Sequence, residues 1–415
     1  MSSSEKLRLD ETNDNVSINI LNNKCLVKIF SFLTIEDMLQ IKKVCKKWRD
    51  ASQVLNISQE NIKKDPSRSD DADKIHKHFE GFPEQSELNK VLCDCGDSLT
   101  SLTLSNYCYD SKIMFVISQH CHNLTKLELD LYKYNENDFH EAFTKLNKLK
   151  SITISYSNYV DHDDYGHDTL ILQSLPQTIQ EISLSSAAYD LDFLVPLSNN
   201  FTKTLDKFNA LCTLELRYWS LETSVLNMIL KKSTLTHLTL AESELIIDES
   251  LTSNLDNLEY LDLSYAKNID KVLTSIVMSS MKLKHIDISQ CTDVSKQALC
   301  HLGKLDNLKK IFINYIEQVD DSIISQFNNL NILECEGCTS VSDSSIIKIL
   351  NNSDKLEFLN VQRTGVTHAT LGCASQIVQS RNGDEKLHVL VSENIVDEFE
   401  AIDDIPLSLV INELL

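Results

Sequence analysis

Apolar residues recur along most of the chain in the pattern L-x-x-L-x-L, with isoleucine, valine or cysteine in some positions. Copies begin at Leu99, Leu124, Leu149, Ile179, Leu211, Leu235, Leu258, Leu283, Leu308, Leu330 and Leu356, and a degenerate copy begins at Leu387. Because side chains alternate along a β-strand, the L-x-L part predicts a short strand with one buried face. Each copy therefore predicts one strand of a repeated unit.

The period of the copies indicates how these units stack. Leu99, Leu124 and Leu149 are 25 residues apart, whereas the intervals that end at Ile179 and Leu211 are stretched to 30 and 32 residues. A period of about 20–29 residues is typical of leucine-rich repeats. One unit cannot bury its own apolar face, so the units are expected to stack into a solenoid. The predicted fold is α/β, with a curved parallel sheet on the concave side and helices on the convex side.

The segments between strands are expected to contain the helices. In the segment 137–147, four apolar residues follow a helical spacing of i, i+3, i+4 and i+7. They are Phe139, Ala142, Phe143 and Leu146. This spacing predicts a helix that returns along the convex side.

The N-terminal part has a different, helical pattern. Residues 17–55 contain two apolar stripes at helical spacing, the first through Leu26, Ile29, Phe30 and Leu33, and the second through Leu39, Ile41, Val44, Cys45 and Trp48. Blocks of fewer than about 40 residues rarely fold stably without a partner or another cross-link. The surplus of large apolar residues therefore predicts a surface that binds another protein.

Composition excludes several classes of partner and chemistry. The chain of 415 residues has 39 basic and 61 acidic residues, a formal net charge of −22. Neither nucleic acid nor an anionic membrane surface is expected as a partner, because both require a basic face. Glycine occurs 8 times, and the sequence contains no G-x-G-x-x-G, phosphate-loop or H-E-x-x-H motif.

The expected compartment follows from the start of the chain and from its apolar runs. The first residues are polar, and the sequence contains no apolar run of 18 residues, so neither a secretory signal nor a membrane span is predicted. The twelve cysteines are then expected to be thiols in the cytoplasm or the nucleus.

Three clusters of cysteine, histidine or acidic residues are interpreted as parts of the fold or of a loop and not as metal or redox sites. Cys335 and Cys338 form a C-x-x-C pair, but no second pair with zinc spacing follows, and both occupy positions expected to be buried. Cys93, Cys95, His120, Cys121 and His122 fit no standard metal spacing. The acidic and histidine-containing segment 161–168 is interpreted as a solvated loop. No catalytic residue, metal ion or cofactor is predicted.

The positions between the inward residues of each strand are expected to face the concave side. Acidic residues outnumber basic ones there, which favours a protein ligand with a basic patch. The candidate residues for binding this ligand, which would be the substrate of a substrate-binding protein, are Tyr260, Asp262, His285, Asp287, Phe312 and Phe358. Exposed aromatic residues are candidate hot spots, although scattered exposed apolar residues are also normal in soluble proteins.

Residues 20–52 resemble the F-box, most specifically at the Val-Cys-x-x-Trp ending formed by Val44, Cys45 and Trp48. The later repeats, with Cys291 and Cys338 three residues after an inward position, resemble the cysteine-containing subtype of leucine-rich repeat that is common behind an F-box. The sequence departs from the F-box pattern where Asn22 replaces a frequent proline and Lys24 an acidic residue.

The resemblance implies docking on a Skp adaptor and, through it, on a cullin. The residues it assigns to adaptor binding or F-box integrity are Leu21, Ile29, Phe30, Leu33, Asp37, Leu39, Val44, Cys45 and Trp48. It also implies that the chain is a non-catalytic substrate receptor of a Skp–cullin–F-box ubiquitin ligase. A scaffold protein whose divergent F-box recruits no ligase is the main alternative, and an enzyme with an unrecognised site is the other.

The expected organisation has four parts. Residues 1–16 form a disordered N-terminus, residues 17–55 the F-box, residues 56–90 a linker and first cap, and residues 91–415 a solenoid of about eleven or twelve units.

Overall fold

A computed structural model of the chain describes residues 21–30, 41, 43–52, 56–57, 85–156, 172–186, 194–197, 200–381, 386–400 and 405–412. The helices are α1 (Asn23–Phe30), α2 (Lys46–Ser52), α3 (Gln85–Cys95), α4 (Ile113–His120), α5 (Asn200–Leu205), α6 (Thr223–Leu230), α7 (Asp270–Ser279), α8 (Lys296–Cys300), α9 (Asp321–Ile324), α10 (Asp343–Asn352), α11 (His368–Ser380) and α12 (Glu393–Glu400). The strands are β1 (Asn56–Ile57), β2 (Ser101–Asp110), β3 (Lys126–Lys133), β4 (Ser151–Tyr156), β5 (Glu181–Ser186), β6 (Val195–Pro196), β7 (Thr213–Arg217), β8 (Trp219–Glu222), β9 (His237–Thr239), β10 (Glu244–Ile246), β11 (Tyr260–Asp262), β12 (His285–Asp287), β13 (Lys310–Phe312), β14 (Ile332–Glu334), β15 (Phe358–Asn360), β16 (Leu387–Leu390) and β17 (Leu409–Ile411).

One parallel sheet of 14 strands runs through the described part of the chain, in the order β1-β2-β3-β4-β5-β7-β9-β11-β12-β13-β14-β15-β16-β17. Each predicted L-x-L copy supplies one of these strands, including the degenerate copy at Leu387, so the predicted α/β leucine-rich-repeat solenoid is confirmed. The inward leucines are in register: Leu238 pairs with Leu261, which pairs with Ile286. The repeat pattern did not predict β1 and β17, which extend the sheet at its two ends.

The return segments are less regular than the spacing predicted. The helix expected over 137–147 is wrong: residues Glu136–Phe139 form a 3-10 helix and the following residues form turns. Glu141 adopts a left-handed backbone with φ of 58°, which ends any helical run at that point. Phe139 and Phe143 are nevertheless fully buried. The spacing therefore identified the buried residues correctly but not the type of element.

A left-handed residue recurs after the strands of the C-terminal repeats. The residues with positive φ at this position are Tyr218, Glu242, Tyr265, Gln290, Tyr315, Gly337 and Arg363. The backbone N–H of each position from Glu242 to Gly337 donates to a carbonyl of the next repeat, as from Tyr265 to Ser289 at 2.8 Å. Gly337 is the one glycine in this series, and a Cβ atom there would lie 2.5 Å from Cδ1 of Tyr315. Because the same turn follows each of these strands, the backbone leaves the long sheet in the same way in successive repeats.

A smaller parallel sheet, in the order β6-β8-β10, is formed by strands that follow β5, β7 and β9 of the long sheet along the chain. Its central strand begins with Trp219, which is fully buried. The indole Nε1–H donates to the carbonyl of Leu184 at 3.1 Å, and the Trp219 backbone N–H donates to Ser243 Oγ at 3.2 Å. Trp219 therefore connects residues of three successive repeats.

The cysteines of the later repeats have structural contacts. The buried thiol of Cys291 donates to the carbonyl of Leu263 at 3.0 Å, and that of Cys338 donates to the carbonyl of Ile313 at 3.2 Å. Burial raises the pKa of Cys338 to about 11. The thiols are therefore neutral donors that link one repeat to the next, in agreement with the structural interpretation of the C-x-x-C pair.

Candidate binding surfaces

Part of the N-terminal block forms a small core. Leu26, Phe30, Ile41 and Ala51 are buried. The rings of Phe30 and Trp48 pack with centroids 5.2 Å apart, and Leu21 packs against the same core. Phe30 and Trp48 thus hold α1 against α2. Leu33, Asp37 and Leu39, which were also predicted for this surface, lie outside the described residues.

Two other predicted residues of the block face solvent. The exposed fraction of Ile29 is 40% and that of Val44 is 56%. Both are large apolar side chains, and the charged residues Lys24 and Lys43 of the same block are exposed as well. Asn22 caps the start of α1, since its Oδ1 accepts a hydrogen bond from the backbone N–H of Cys25 at 2.9 Å. The departure from proline at this position is therefore compatible with the helix.

A row of four rings crosses the face of the long sheet that lies opposite the core, here called the open face. The ring row consists of His237, Tyr260, His285 and Phe312, one from each of β9, β11, β12 and β13. Successive ring centroids are 5.6, 4.3 and 5.0 Å apart, and each pair is stacked. Burial, reinforced by the nearby charge of Lys310, lowers the pKa of His285 to about 4. At neutral pH, His285 is therefore an uncharged member of the row.

Several carboxylates lie beside the ring row, and only some of them are paired with a basic side chain. Arg217 Nη2 lies 3.0 Å from Oδ2 of Asp262, and the same guanidinium approaches Glu242 at 3.7 Å. Burial raises the pKa of Asp287 and that of Glu334. Within the described part of the chain, no basic nitrogen lies within 4.0 Å of either of these two carboxylates. The open face thus holds two half-buried, uncompensated acids.

Two of the six predicted substrate-binding residues are not exposed as expected. Phe358 is only 6% exposed and lies between Ile332 and His388 of the neighbouring strands, so the prediction of a solvent-facing ring is wrong. Asp262 is 5% exposed because Arg217 covers it. Tyr260, His285, Asp287 and Phe312 are half-buried on the open face.

Sequence reasoning missed a second group at the edge of this face. The Tyr315 hydroxyl donates to Glu336, and Arg363 Nη1 donates to the Tyr315 oxygen at 3.3 Å. Tyr265, two repeats earlier, is exposed. Tyr218, Tyr265 and Tyr315 each follow the last apolar residue of their L-x-x-L-x-L copy by two positions. That periodic position was the available signal, but the alternation rule covers only residues within the strand.

The described residues contain no group of three or more histidine, cysteine or acidic side chains that could hold a metal ion. Of the cysteine and histidine group considered above, Cys121 is buried and His122 Nδ1 pairs with Asp97 at 2.6 Å. The segment 161–168 lies outside the described residues. Among the described helices, none has the length and apolarity needed to cross a bilayer.

Replacing Asp287 by asparagine is expected to raise the thermal unfolding temperature at pH 7 by about 1–2 °C. The folded-state pKa of Asp287 is raised above its ordinary value. The stabilisation from its protonation is therefore present below the unfolded pKa and is lost as the pH rises through the folded pKa. Calorimetry from pH 3 to pH 7 should show the advantage of the variant shrinking toward pH 3. The control is Asp256→Asn, at an exposed aspartate. If it raises the unfolding temperature as much as Asp287→Asn does, or if Asp287→Asn does not raise it, burial of the Asp287 charge is not the cause.

The chain is similar to one family model and to two solved structures. The family model of the F-box domain matches residues 18–59. A chain of the yeast Rad7–Elc1 crystal structure is similar to this chain with a TM-score of 0.50 and 16% sequence identity, covering 83% of this chain and 89% of that chain. An internalin (InlF) from Listeria monocytogenes has a TM-score of 0.46 at 15% identity, with coverages of 79% and 83%. No curated protein sequence gives a significant match.

The family match locates the helical domain, and the register of the long sheet defines the repeats behind it. The chain therefore carries a match to the F-box domain at residues 18–59, followed by a leucine-rich-repeat solenoid.

Proposed function

We propose that the chain is the substrate-recognition subunit of a Skp–cullin–F-box ubiquitin ligase, acting in the cytoplasm, the nucleus or both. The observation that carries the proposal is the combination of an F-box at residues 18–59 with exposed Ile29 and Val44, and a long sheet whose open face holds a ring row. F-box domains bind Skp-type adaptors. A solenoid offers an extended surface for a second protein.

The proposed mechanism is positional. The F-box holds the adaptor and its cullin, while the open face of the solenoid holds a protein substrate. This bridge raises the effective concentration of a substrate lysine near a ubiquitin-loaded conjugating enzyme. The chain itself contributes binding surfaces and leaves the chemistry to the enzymes it brings together. Degradation of the bound substrate by the proteasome is the expected consequence.

Reconstitution tests this function. The full chain is co-expressed with a Skp adaptor and a cullin, and the affinity-purified chain is analysed for both partners. Recovery of both near 1:1 stoichiometry is expected. Proximity labelling in cells, with and without proteasome inhibition, should then reveal proteins that accumulate near the intact chain but not near a chain lacking residues 18–59.

The alternative of a scaffold that recruits no ligase rests on the substitutions at Asn22 and Lys24. It predicts that neither adaptor nor cullin co-purifies, and that proteasome inhibition leaves the labelled proteins unchanged. Such a result would replace the proposed function.

A further inference from the structure

Phe312 occupies a distinctive place in the ring row. In the register of the sheet, Phe312 on β13 pairs with Asp287 on β12 and with Glu334 on β14. Adjacent strands lie about 4.8 Å apart, so the two carboxylates flank the ring across a span of about 10 Å. Phe312 is half-buried and stacks against His285 on one side. One aromatic ring is thus bracketed by two acids.

The two acids retain capacity for a ligand. Asp287 Oδ1 accepts the backbone N–H of Ser289 at 2.9 Å, and Glu334 Oε2 accepts Asn314 Nδ2 at 3.0 Å. The Ser289 side chain also hydrogen-bonds the Asp287 carboxylate. Because an ionised carboxylate has about four acceptor sites, both residues can still accept hydrogen bonds from a ligand.

The solenoid compensates other acids of this face with its own cations, as Lys126 does for Glu128 and Arg217 does for Asp262. Asp287 and Glu334 have no such partner among the described residues. Two half-buried negative charges at one place favour a cation supplied from outside.

The nearby cations leave this position open. Lys310, on the same strand as Phe312, is exposed and forms no ion pair with the described residues. Arg217 is engaged by Asp262 and Glu242. His285 is uncharged at neutral pH because burial lowers its pKa to about 4. A cation supplied from outside over Phe312 therefore meets attraction from the carboxylates on both sides and no charge repulsion from His285, and the exposed Lys310 ammonium is a nearby positive charge that opposes it.

We propose that Phe312, Asp287 and Glu334 bind the guanidinium group of an arginine in an extended segment of a partner protein. A guanidinium is planar and weakly hydrated, so it stacks on an aromatic ring more readily than an ammonium does. Its donors point to opposite edges and can reach a carboxylate on each side at once, which a lysine ammonium cannot do. This site deepens the proposed function, since it rests on the open face being the partner-binding surface.

The test uses the full chain and three peptides that differ at one position. The probe is fluorescein-Gly-Ser-Gly-Arg-Gly-Ser-Gly, and the matched peptides carry lysine or citrulline in place of arginine; citrulline keeps the shape of arginine but has no charge. Fluorescence anisotropy and NMR titration measure binding at 10 mM and at 150 mM salt. The arginine peptide is expected to bind at least 10-fold more tightly than the citrulline peptide and about 3-fold more tightly than the lysine peptide.

Variants assign the binding to the proposed residues. Asp287→Asn combined with Glu334→Gln is expected to weaken binding of the arginine peptide at least 10-fold, and Phe312→Leu about 3-fold. Glu128→Gln, which removes an acid of the open face already paired with Lys126, should leave binding unchanged. Circular dichroism and the unfolding temperature confirm that each variant is folded.

Three results would overturn the site: equal binding of the arginine and citrulline peptides, equal binding of the arginine and lysine peptides, or unchanged binding by the double variant. These failures are separate from failure of the proposed function. A chain that recovers adaptor and cullin but not the arginine peptide contradicts only the arginine site. A chain that binds the peptide but recovers no adaptor contradicts the ligase assignment.

Discussion

Replacing Ile29 and Val44 together by aspartate is expected to weaken binding of a Skp adaptor about 100-fold or more. Both side chains are apolar and exposed in the free chain. Burying each against a partner contributes about 1.5–3 kcal/mol, and the variant also places a charge in an apolar interface. Affinity purification with the adaptor, followed by titration of the purified proteins, measures the loss. The unfolding temperature should remain within about 1 °C of the parent, because neither side chain belongs to the core.

The control for this variant is Ile246→Asp, the same kind of change at an apolar residue of the solenoid that is 46% exposed. Adaptor binding should be unaffected by it. Phe30→Ala gives a second comparison, because it removes a buried ring and should lower both adaptor binding and the stability of the F-box. If the double aspartate variant still binds the adaptor, the docking surface lies elsewhere on the domain.

Replacing Trp219 by alanine is expected to destabilise the middle of the solenoid by about 3–5 kcal/mol. The ring is fully buried, and its loss leaves a cavity and removes the donor to the Leu184 carbonyl. Because repeats contact mainly their neighbours, the loss should be local. Hydrogen exchange of the amides in β5, β7 and β8 should accelerate strongly, whereas amides in β13 to β15 should change little.

Trp219→Phe separates the cavity from the hydrogen bond. Phenylalanine retains most of the volume but lacks the N–H, so a loss of about 1–2 kcal/mol is expected. Urea unfolding followed by circular dichroism measures the difference between the two variants. A uniform change of exchange along the whole sheet would contradict local coupling and indicate that the solenoid unfolds as one cooperative unit.

The repeated strands could be predicted from the sequence because their pattern is local. Leu258, Leu261 and Leu263 sit in one hexapeptide, and alternation alone assigns their inward direction. The end strands β1 and β17 could not be predicted in this way, since two or three residues pair only because a neighbouring strand offers its edge. The return segment around Glu141 shows the same limit: apolar spacing identifies buried residues, while a single left-handed turn decides the element.

The sequence predicted which strand residues lie on the open face, but not how exposed to solvent their side chains are. Tyr260 and Phe312 lie in the ring row as half-buried residues, whereas Phe358, at the position of β15 that corresponds to Tyr260 in β11, is covered. That difference depends on side chains from adjacent repeats, about 25 positions away in the sequence. The pairing of Arg217 with Asp262 spans 45 positions, and therefore only the folded chain reveals that Asp262 is compensated and Asp287 is not.

The strands stay in register even where the intervals between copies grow to 30 and 32 residues, as Ile152 pairs with Ile182 and Ile182 with Leu214. The additional residues of the longer repeats therefore lie outside the long sheet. Insertions and deletions in the return segments can reshape the outer surface during evolution without moving a single side chain of the ring row. The two surfaces of this solenoid are therefore free to diversify independently, one by changes in length and the other by substitution.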